Sequence, residues 1–191
     1  MADPPPHSQL ELFLTSDQIQ QRVQEMGAEI SRDFAGQSLL LIGVLTGASI
    51  FLADLARAIS LNCDLDFISV ASYGTQQHSR GEVRLLRGLE HPVENMNVLV
   101  VEDIVDTAAT LSYLRTMLLA ERPALLKVVT LLDKPSRRLQ TVTADTIGFT
   151  IPNRFAVGYG MDFAGYYRNL PNIYCMPPAS NWSSLHLGKT P

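Results

Sequence analysis

Two adjacent acids, Glu102 and Asp103, follow the apolar run Val98-Leu99-Val100-Val101, and Asp106, Thr107, Ala108, Ala109 and Thr110 come soon after them. The run is short and mostly β-branched, the mark of a buried strand. Beyond Thr110, apolar residues recur at helical spacing through Leu111, Leu114 and Leu118. An acidic pair is therefore expected where a buried strand ends, and small hydroxyl residues where a helix starts. In open α/β sheets, ligands bind at the carboxyl ends of the strands. Helix N-termini present free N–H groups to phosphates. One short loop could thus hold both the hydroxyls and the phosphate of a sugar phosphate.

The residue types set the chemistry that each position supports. Vicinal carboxylates accept hydrogen bonds from a ribose 2′,3′-diol, or hold Mg²⁺ directly or through water. The same pair also reads as a solvated acidic turn at the start of a helix. Asp106 serves equally as a helix N-cap, the commoner use of an aspartate there, or as a general base. Thr107 to Thr110 offer hydroxyls and amides to a phosphate. Lys134 closes the run Leu131-Leu132-Asp133 ahead of Pro135 and reads as a turn lysine on the surface. Phe155-Ala156-Val157-Gly158-Tyr159-Gly160-Met161-Asp162 combines aromatics, two glycines and an acid. In it Phe155 fits a core position and Asp162 the cap of a turn, while Arg168 fits a surface ion pair. No Gly-x-x-x-x-Gly-Lys-Ser/Thr occurs, and no Gly-x-Gly-x-x-Gly follows a strand, which excludes a P-loop hydrolase and counts against a dinucleotide enzyme.

The elements that must position these groups follow from periodicity. Thr15 and Gln18 have capping-box spacing, flanked by Leu14 and Ile19 as a hydrophobic staple. Ile19, Val23, Met26 and Ile30 then repeat as one helical face, and Gly36 stops the helix. Leu39 to Leu45 predicts a buried strand, Thr46 to Ser49 a tight turn, Ile50 to Leu61 a helix, and Asp66 to Val70 a second strand. That order implies a right-handed crossover between parallel strands. Ser72 to Gly81 reads as a mobile polar loop and Glu82 to Leu86 as the return strand of a long hairpin. Lys127 to Leu132, Asp145 to Phe149 and Phe155 to Val157 complete the strands.

Bulk properties bound the rest. With 191 residues, 46% hydrophobic and 18% charged, the chain suits one globular domain. Residues 1–9 are expected as a disordered tail, 10–177 as the single domain, and 178–191 as a C-terminal tail of unassigned role. A net charge of −4 with no basic stretch argues against nucleic acid and anionic membrane as partners. The two isolated cysteines suggest neither a disulfide framework nor zinc, in keeping with the cytoplasm. The N-terminus lacks the features of a signal peptide, and the longest apolar run, Leu39 to Leu45, is too short to span a bilayer.

Taken together, the segments resemble a known family. Val100-Val101-Glu102-Asp103-Ile104-Val105-Asp106-Thr107 is similar to the phosphoribosyl-pyrophosphate motif of type I phosphoribosyltransferases. Leu45-Thr46-Gly47, Phe67 to Gly74, Leu131 to Pro135, and Phe155 to Asp162 with Tyr167-Arg168-Asn169-Leu170 occur in the order seen in the hypoxanthine-guanine branch. The resemblance implies an α/β fold, with a central, mostly parallel sheet flanked by helices, a small hood and a mobile loop. It implies Mg²⁺-dependent purine salvage. Phosphoribosyl pyrophosphate and hypoxanthine or guanine would give IMP or GMP plus pyrophosphate, in a homodimer or homotetramer.

Roles follow from the resemblance residue by residue. Glu102 and Asp103 would hold the ribose hydroxyls, partly through Mg²⁺, and Asp106 would take the N7 proton of the purine. Thr107, Ala108, Ala109 and Thr110 would cradle the 5′-phosphate. Lys134 would donate to the purine O6, Phe155 would stack on the ring, and the Ala156 backbone would read its edge. Asp162 would serve the purine side and a second Mg²⁺. Thr46, Gly47 and Arg168 would face pyrophosphate, and Ser72 and Tyr73 would lead the closing loop. A non-proline cis peptide is expected at Leu45-Thr46. Two positions depart from the pattern: Ala108 stands where glycine is usual, and Thr46 where Lys or Arg is usual. Alanine at 108 is tolerated if its φ stays negative. The alternative is a non-enzymatic regulator on the same fold that binds nucleotides or RNA; the retained Asp106, Lys134 and Asp162 favour catalysis.

Overall fold

The computed structural model describes residues 6–73 and 82–177. Strand β1 (Glu11–Leu14) leads into helix α1 (Ser16–Asp33), then β2 (Leu39–Leu45), α2 (Ser49–Ala58), β3 (Cys63–Tyr73) and β4 (Glu82–Arg87). Next come β5 (Asn97–Val105), α3 (Ala109–Ala120), β6 (Leu125–Asp133), β7 (Thr146–Thr150), β8 (Ala156–Val157) and β9 (Ile173–Cys175). Single 3₁₀ turns occupy His7–Gln9 and Pro135–Arg137.

Helix α1 begins where the capping signal places it. The Gln18 amide donates to the Thr15 hydroxyl oxygen at 3.2 Å, and the Thr15 amide donates to Gln18 Oε1 at 2.9 Å. The helix is over before Gly36, whose φ of +75° suits only a residue without Cβ strain. Its apolar stripe (Ile19, Val23, Met26 and Ile30) is buried against α2 and the sheet. Among the described residues, no helix is long and apolar enough to cross a membrane.

The main sheet has the order β4-β3-β2-β5-β6-β7, parallel except for the β3/β4 hairpin. Pleating divides its side chains between two layers. Leu39, Leu41, Leu99, Val101, Val129 and Leu131 pack in the core with α1 and α2. Leu40, Ile42, Val98, Val100 and Val128 pack with Leu111, Leu114 and Leu118 of α3. The chain leaves β2 toward β3 on one side and β5 toward β6 on the other. The strand order therefore reverses between β2 and β5, the place where such sheets open a crevice at their carboxyl ends.

Three findings differ from the sequence reading. Strand β5 does not stop at Val101 but runs to Val105, so the acidic pair lies inside the strand rather than after it. The register explains this, since Glu102 pairs with Thr130 and Val105 with Asp133. Helix α2 ends at Ala58, three residues before the expected Leu61, because Ile59 turns to an extended backbone. The third concerns the hood, a separate sheet of order β1-β9-β8. Its strands β1 and β9 lack any pattern of their own; β1 forms by pairing across the whole chain with β9, which also pairs with the nearer β8. The Arg154 guanidinium straps this sheet by donating to both Glu11 carboxylate oxygens, at 2.7 and 2.6 Å.

The hood loop and the turn after β2 meet backbone to backbone. Gly160 has φ +100°, and a Cβ there would lie 2.1 Å from the Gly47 carbonyl oxygen. Gly36, at φ +75°, has open space within 4 Å of where a Cβ would stand. We predict that Gly36→Ala costs about 1 kcal/mol, the backbone strain alone. Gly160→Ala adds a backbone clash and is expected to cost about 3 kcal/mol or more. Denaturant midpoints of the two variants check this, and equal costs would refute the close packing.

Candidate active site

The carboxyl ends of β2, β5 and β6 carry the groups singled out in the sequence. Because β5 and β6 run parallel in register to Val105 and Asp133, the next residue of each, Asp106 and Lys134, comes level. The Lys134 amide donates to the Val105 carbonyl at 2.9 Å, which locks that register past the strand ends. The Lys134 Nζ lies 3.5 Å from Asp106 Oδ2, and Arg137 Nε lies 3.0 Å from Asp106 Oδ1.

The structure corrects several readings. Lys134 is not a surface lysine, since only 5% of it is exposed. Asp106 is not the cap of α3. That position falls on Ala108, and no side chain caps the helix. Ala108 has φ +63°, so the condition of a negative φ fails, and the alanine sits in the left-handed backbone that glycine would adopt freely. Asp162 does cap a turn, accepting from the Gly165 amide at 2.7 Å. Arg168 pairs with Asp162 at 2.7 Å and also donates to the Gly160 carbonyl at 2.7 Å. Phe155 is not core but half exposed, set edge-to-face on Phe163 with centroids 5.8 Å apart.

Two adjoining cavities share Glu102 and Thr110. The smaller, about 240 Å³, is walled by Gly47, Glu102, Asp103, Thr110, Asp162 and Arg168. The larger, about 560 Å³, is walled by Glu102, Asp106, Thr107, Thr110, Arg137 and Phe155, with Ala108 and Ala109 on its floor. Thr46 is exposed on the turn after β2, the Leu45-Thr46 peptide is cis as expected, and Ala156 is buried in β8 beside Phe155. Ser72 and Tyr73 end β3, and the rest of the expected mobile loop, 74–81, lies outside the described residues. The sequence reading passed over Arg137. The signal was present as Arg137-Arg138 directly after Lys134-Pro135-Ser136.

The acidic pair carries an electrostatic cost. Burial pushes the Glu102 carboxyl well above the usual carboxylate range, and the Asp103 charge adds to this. Burial likewise pushes Asp103 up to about 6; the Ile104 amide and the Arg168 charge oppose the shift, while Asp162 reinforces it. Gly47 allows the crowding, because a Cβ at that position would stand 1.8 Å from Asp103 Oδ2. The donors here are all carboxylate oxygens, the ligand class of hard cations. Among the described residues no three such side chains converge on one ion position. Carboxylate oxygens are the donors that Mg²⁺ takes one or two at a time, together with water and substrate phosphate oxygens.

A pH dependence follows. In the unfolded chain Asp103 ionises near its ordinary value of 3.8, whereas in the fold it ionises near 6. The native state therefore holds the proton more tightly, and stability is lost as pH rises from about 4 to 6, by on the order of a few kcal/mol. We expect Asp103→Asn to raise the melting temperature of metal-free protein at pH 7.5, with the gain vanishing below about pH 4. Scanning calorimetry in chelator across that range tests this, and a pH-independent difference would refute it.

The geometry can now be set beside known proteins. The family model for the phosphoribosyl transferase domain matches residues 13–164. The chain is 42% identical over 173 residues to the hypoxanthine-guanine phosphoribosyltransferase of Bacillus subtilis, covering 91% of this chain and 96% of that protein. It is also 42% identical over 167 residues to the bifunctional protein TilS/HprT of Listeria innocua; that match takes in 87% of this chain but spans only 26% of the longer relative. A crystal structure of a hypoxanthine phosphoribosyltransferase from Staphylococcus aureus superposes with a TM-score of 0.86 at 39% identity, covering 90% of this chain and 94% of that one. The matched span contains the whole six-stranded sheet, the larger cavity and the walls of the smaller one apart from Arg168, and the chain belongs to the phosphoribosyl transferase domain family.

Proposed function

We propose that this protein salvages purines, transferring the 5-phosphoribosyl group from phosphoribosyl pyrophosphate to hypoxanthine or guanine, with IMP or GMP and pyrophosphate as products. The observation that carries the reading is the level placement of Asp106 and Lys134 at the ends of β5 and β6, beside the loop Thr107 to Thr110. A base and a cation at that spacing suit a 6-oxopurine, which offers N7–H to a carboxylate and O6 to an ammonium. The identities to hypoxanthine-guanine phosphoribosyltransferases support the same substrates.

Substrate parts then distribute over the two cavities. The phosphoribosyl 5′-phosphate takes the hydroxyls and amides of Thr107, Ala108, Ala109 and Thr110 in the larger one. Phe155, half exposed at its rim, stacks on the purine, and the Ala156 backbone meets the purine edge. Glu102 and Asp103 hold the ribose hydroxyls where the cavities join. Pyrophosphate takes the smaller cavity, toward Gly47, Thr46 and Arg168. Glu102 and Asp103 would hold one Mg²⁺ beside the ribose hydroxyls and Asp162 a second on the pyrophosphate side; when bound, such ions supply positive charge to the pyrophosphate oxygens.

The transition state of such a glycosyl transfer is oxocarbenium-like. The buried carboxylates lie where positive charge grows on the sugar, and Arg168 where negative charge grows on the leaving group. Asp106 takes the N7 proton as the base attacks C1, while Lys134 stabilises the charge drawn toward O6.

The test is direct. Protein with Mg²⁺, phosphoribosyl pyrophosphate and hypoxanthine or guanine should yield IMP or GMP, and folded protein that turns over neither base refutes the reading. Asp106→Asn is expected to keep the KM for phosphoribosyl pyrophosphate and lose about 10²–10⁴ in kcat, the usual loss for a general base. Unchanged kcat would remove Asp106 from that role. Lys134→Ala should raise the KM for hypoxanthine about tenfold or more, the size of a lost charge-assisted hydrogen bond.

A further inference from the structure

The larger cavity has an uneven charge balance. Its walls bring the carboxylates Glu102 and Asp106 to a space assigned above to a phosphate dianion. Of the described residues lining it, Arg137 is the one cation. Arg137 is spent on Asp106, through Nε alone, and its side chain is 48% exposed. An exposed ion pair of this kind is screened and weak, so its exchange for another anion is cheap. The Lys134 contact to the same carboxylate is longer, from a lysine side chain that is nearly fully buried, and its backbone amide is bonded to the Val105 carbonyl.

The backbone fixes where Arg137 can reach. It closes the 3₁₀ turn Pro135–Arg137, and the segment after it returns to the phosphate loop. The amides of Leu139 and Gln140 both donate to the Thr107 carbonyl, at 3.1 and 3.3 Å. Thr107, Arg137 and Leu139 also share the wall of a second, shallow cavity of about 250 Å³. The turn and the loop thus form one hydrogen-bonded unit, with a guanidinium poised between the Asp106 carboxylate and the mouth of the phosphate site. A phosphate monoester carries about two charges and offers three acceptor oxygens to a guanidinium fork, against one charge on a carboxylate.

We propose that Arg137 is a phosphate-exchanged latch. In the free protein it neutralises Asp106; when the 5′-phosphate of a phosphoribosyl ligand enters, it transfers to that phosphate and leaves Asp106 Oδ1 open toward the purine. This rests on the transferase reading, and it makes Arg137 a ligand-binding residue for the sugar phosphate rather than a support for the base. One side chain thereby links occupancy of the phosphate loop to the freeing of the carboxylate that accepts the proton.

Steady-state kinetics of Arg137→Ala and Arg137→Lys decide it. The expected result for Arg137→Ala is a KM for phosphoribosyl pyrophosphate raised about 10- to 100-fold, the loss of a charged hydrogen bond. In the same variant, kcat at saturating donor and the KM for hypoxanthine should stay within about threefold of wild type, since Asp106 Oδ1 is already open. Arg137→Lys should recover most of the donor KM, and thermal midpoints should be unaltered because the side chain is half exposed. A fall in kcat with the donor KM unchanged would show that Arg137 serves Asp106 alone and would overturn the latch. So would kinetic constants indistinguishable from wild type. Absence of turnover in the wild-type protein would instead overturn the transferase reading, and the latch with it.

Discussion

The parallel register of β5 against β6 is the constraint on which the site depends. Two strands far apart in sequence, paired from Asn97/Leu125 to Val105/Asp133, end level with one another. That single alignment puts a carboxylate and an ammonium on neighbouring strand tips, from residues 28 positions apart. A slip by one residue would turn Glu102 into the other layer and move Asp106 away from Lys134. The alternating apolar sets prevent this slip: Leu99 and Val101 belong to the layer under α1 and α2, Val98 and Val100 to the layer under α3. Core packing is thus what sets the distances at the site.

The same strand extends its hydrogen bonding past the point where its side chains stop being apolar. Glu102 is therefore buried as an acid and Asp103 partly so, both held up in pKa mainly by the loss of water. Such a pair destabilises the free fold at neutral pH. Glycines reduce the steric part of that cost. Gly47 leaves room for Asp103, and Gly160 lets the hood loop rest on the Gly47 carbonyl. The hood loop thus rests on the turn after β2, held as well by the Tyr159 hydroxyl donating to Asp54 and by Tyr159 and Met161 in the core with α1 and α2, and it sets Asp162 and Arg168 on the cavity wall with the acidic pair. A site for a cation-bound, highly charged substrate benefits from such uncompensated carboxylates, because the ligand brings the missing positive charge with it.

How much of this was legible depends on the range of the interaction that forms each part. Helix α1, strand β2, the hairpin strand β4 and helix α3 rest on local capping, short apolar runs and helical period, and those signals stand in the sequence. The inner half of β5 was equally plain, but its outer half was not. Glu102 to Val105 is strand because β6 pairs with it, a fact of register and not of propensity. The hood strands β1 and β9 were missed for the same reason, each having only three or four residues and a partner more than 150 positions away. At the site, residue types pointed to the acids and hydroxyls. They did not show that Lys134 is buried, that Phe155 is exposed, or that Arg137 completes the environment of Asp106. Those are consequences of where strands end in space.

Ala108 shows the limit most sharply. A left-handed backbone costs an L-residue about 1–2 kcal/mol relative to glycine. The residue is only 4% exposed, and it belongs to the core cluster that holds Val105 and Leu111. Burying a methyl group returns about 0.8 kcal/mol, which offsets much of the strain. The turn itself is over-determined, since Thr107 is held by Leu139 and Gln140 on one side and α3 begins at Ala109 on the other. The left-handed turn at Ala108 is therefore imposed by tertiary structure, and an alanine is held in it. A phosphate bound there, as proposed, would need from this loop the direction of its N–H groups. That direction is set by φ at residue 108, and φ at residue 108 is set by the strand before it and the helix after it.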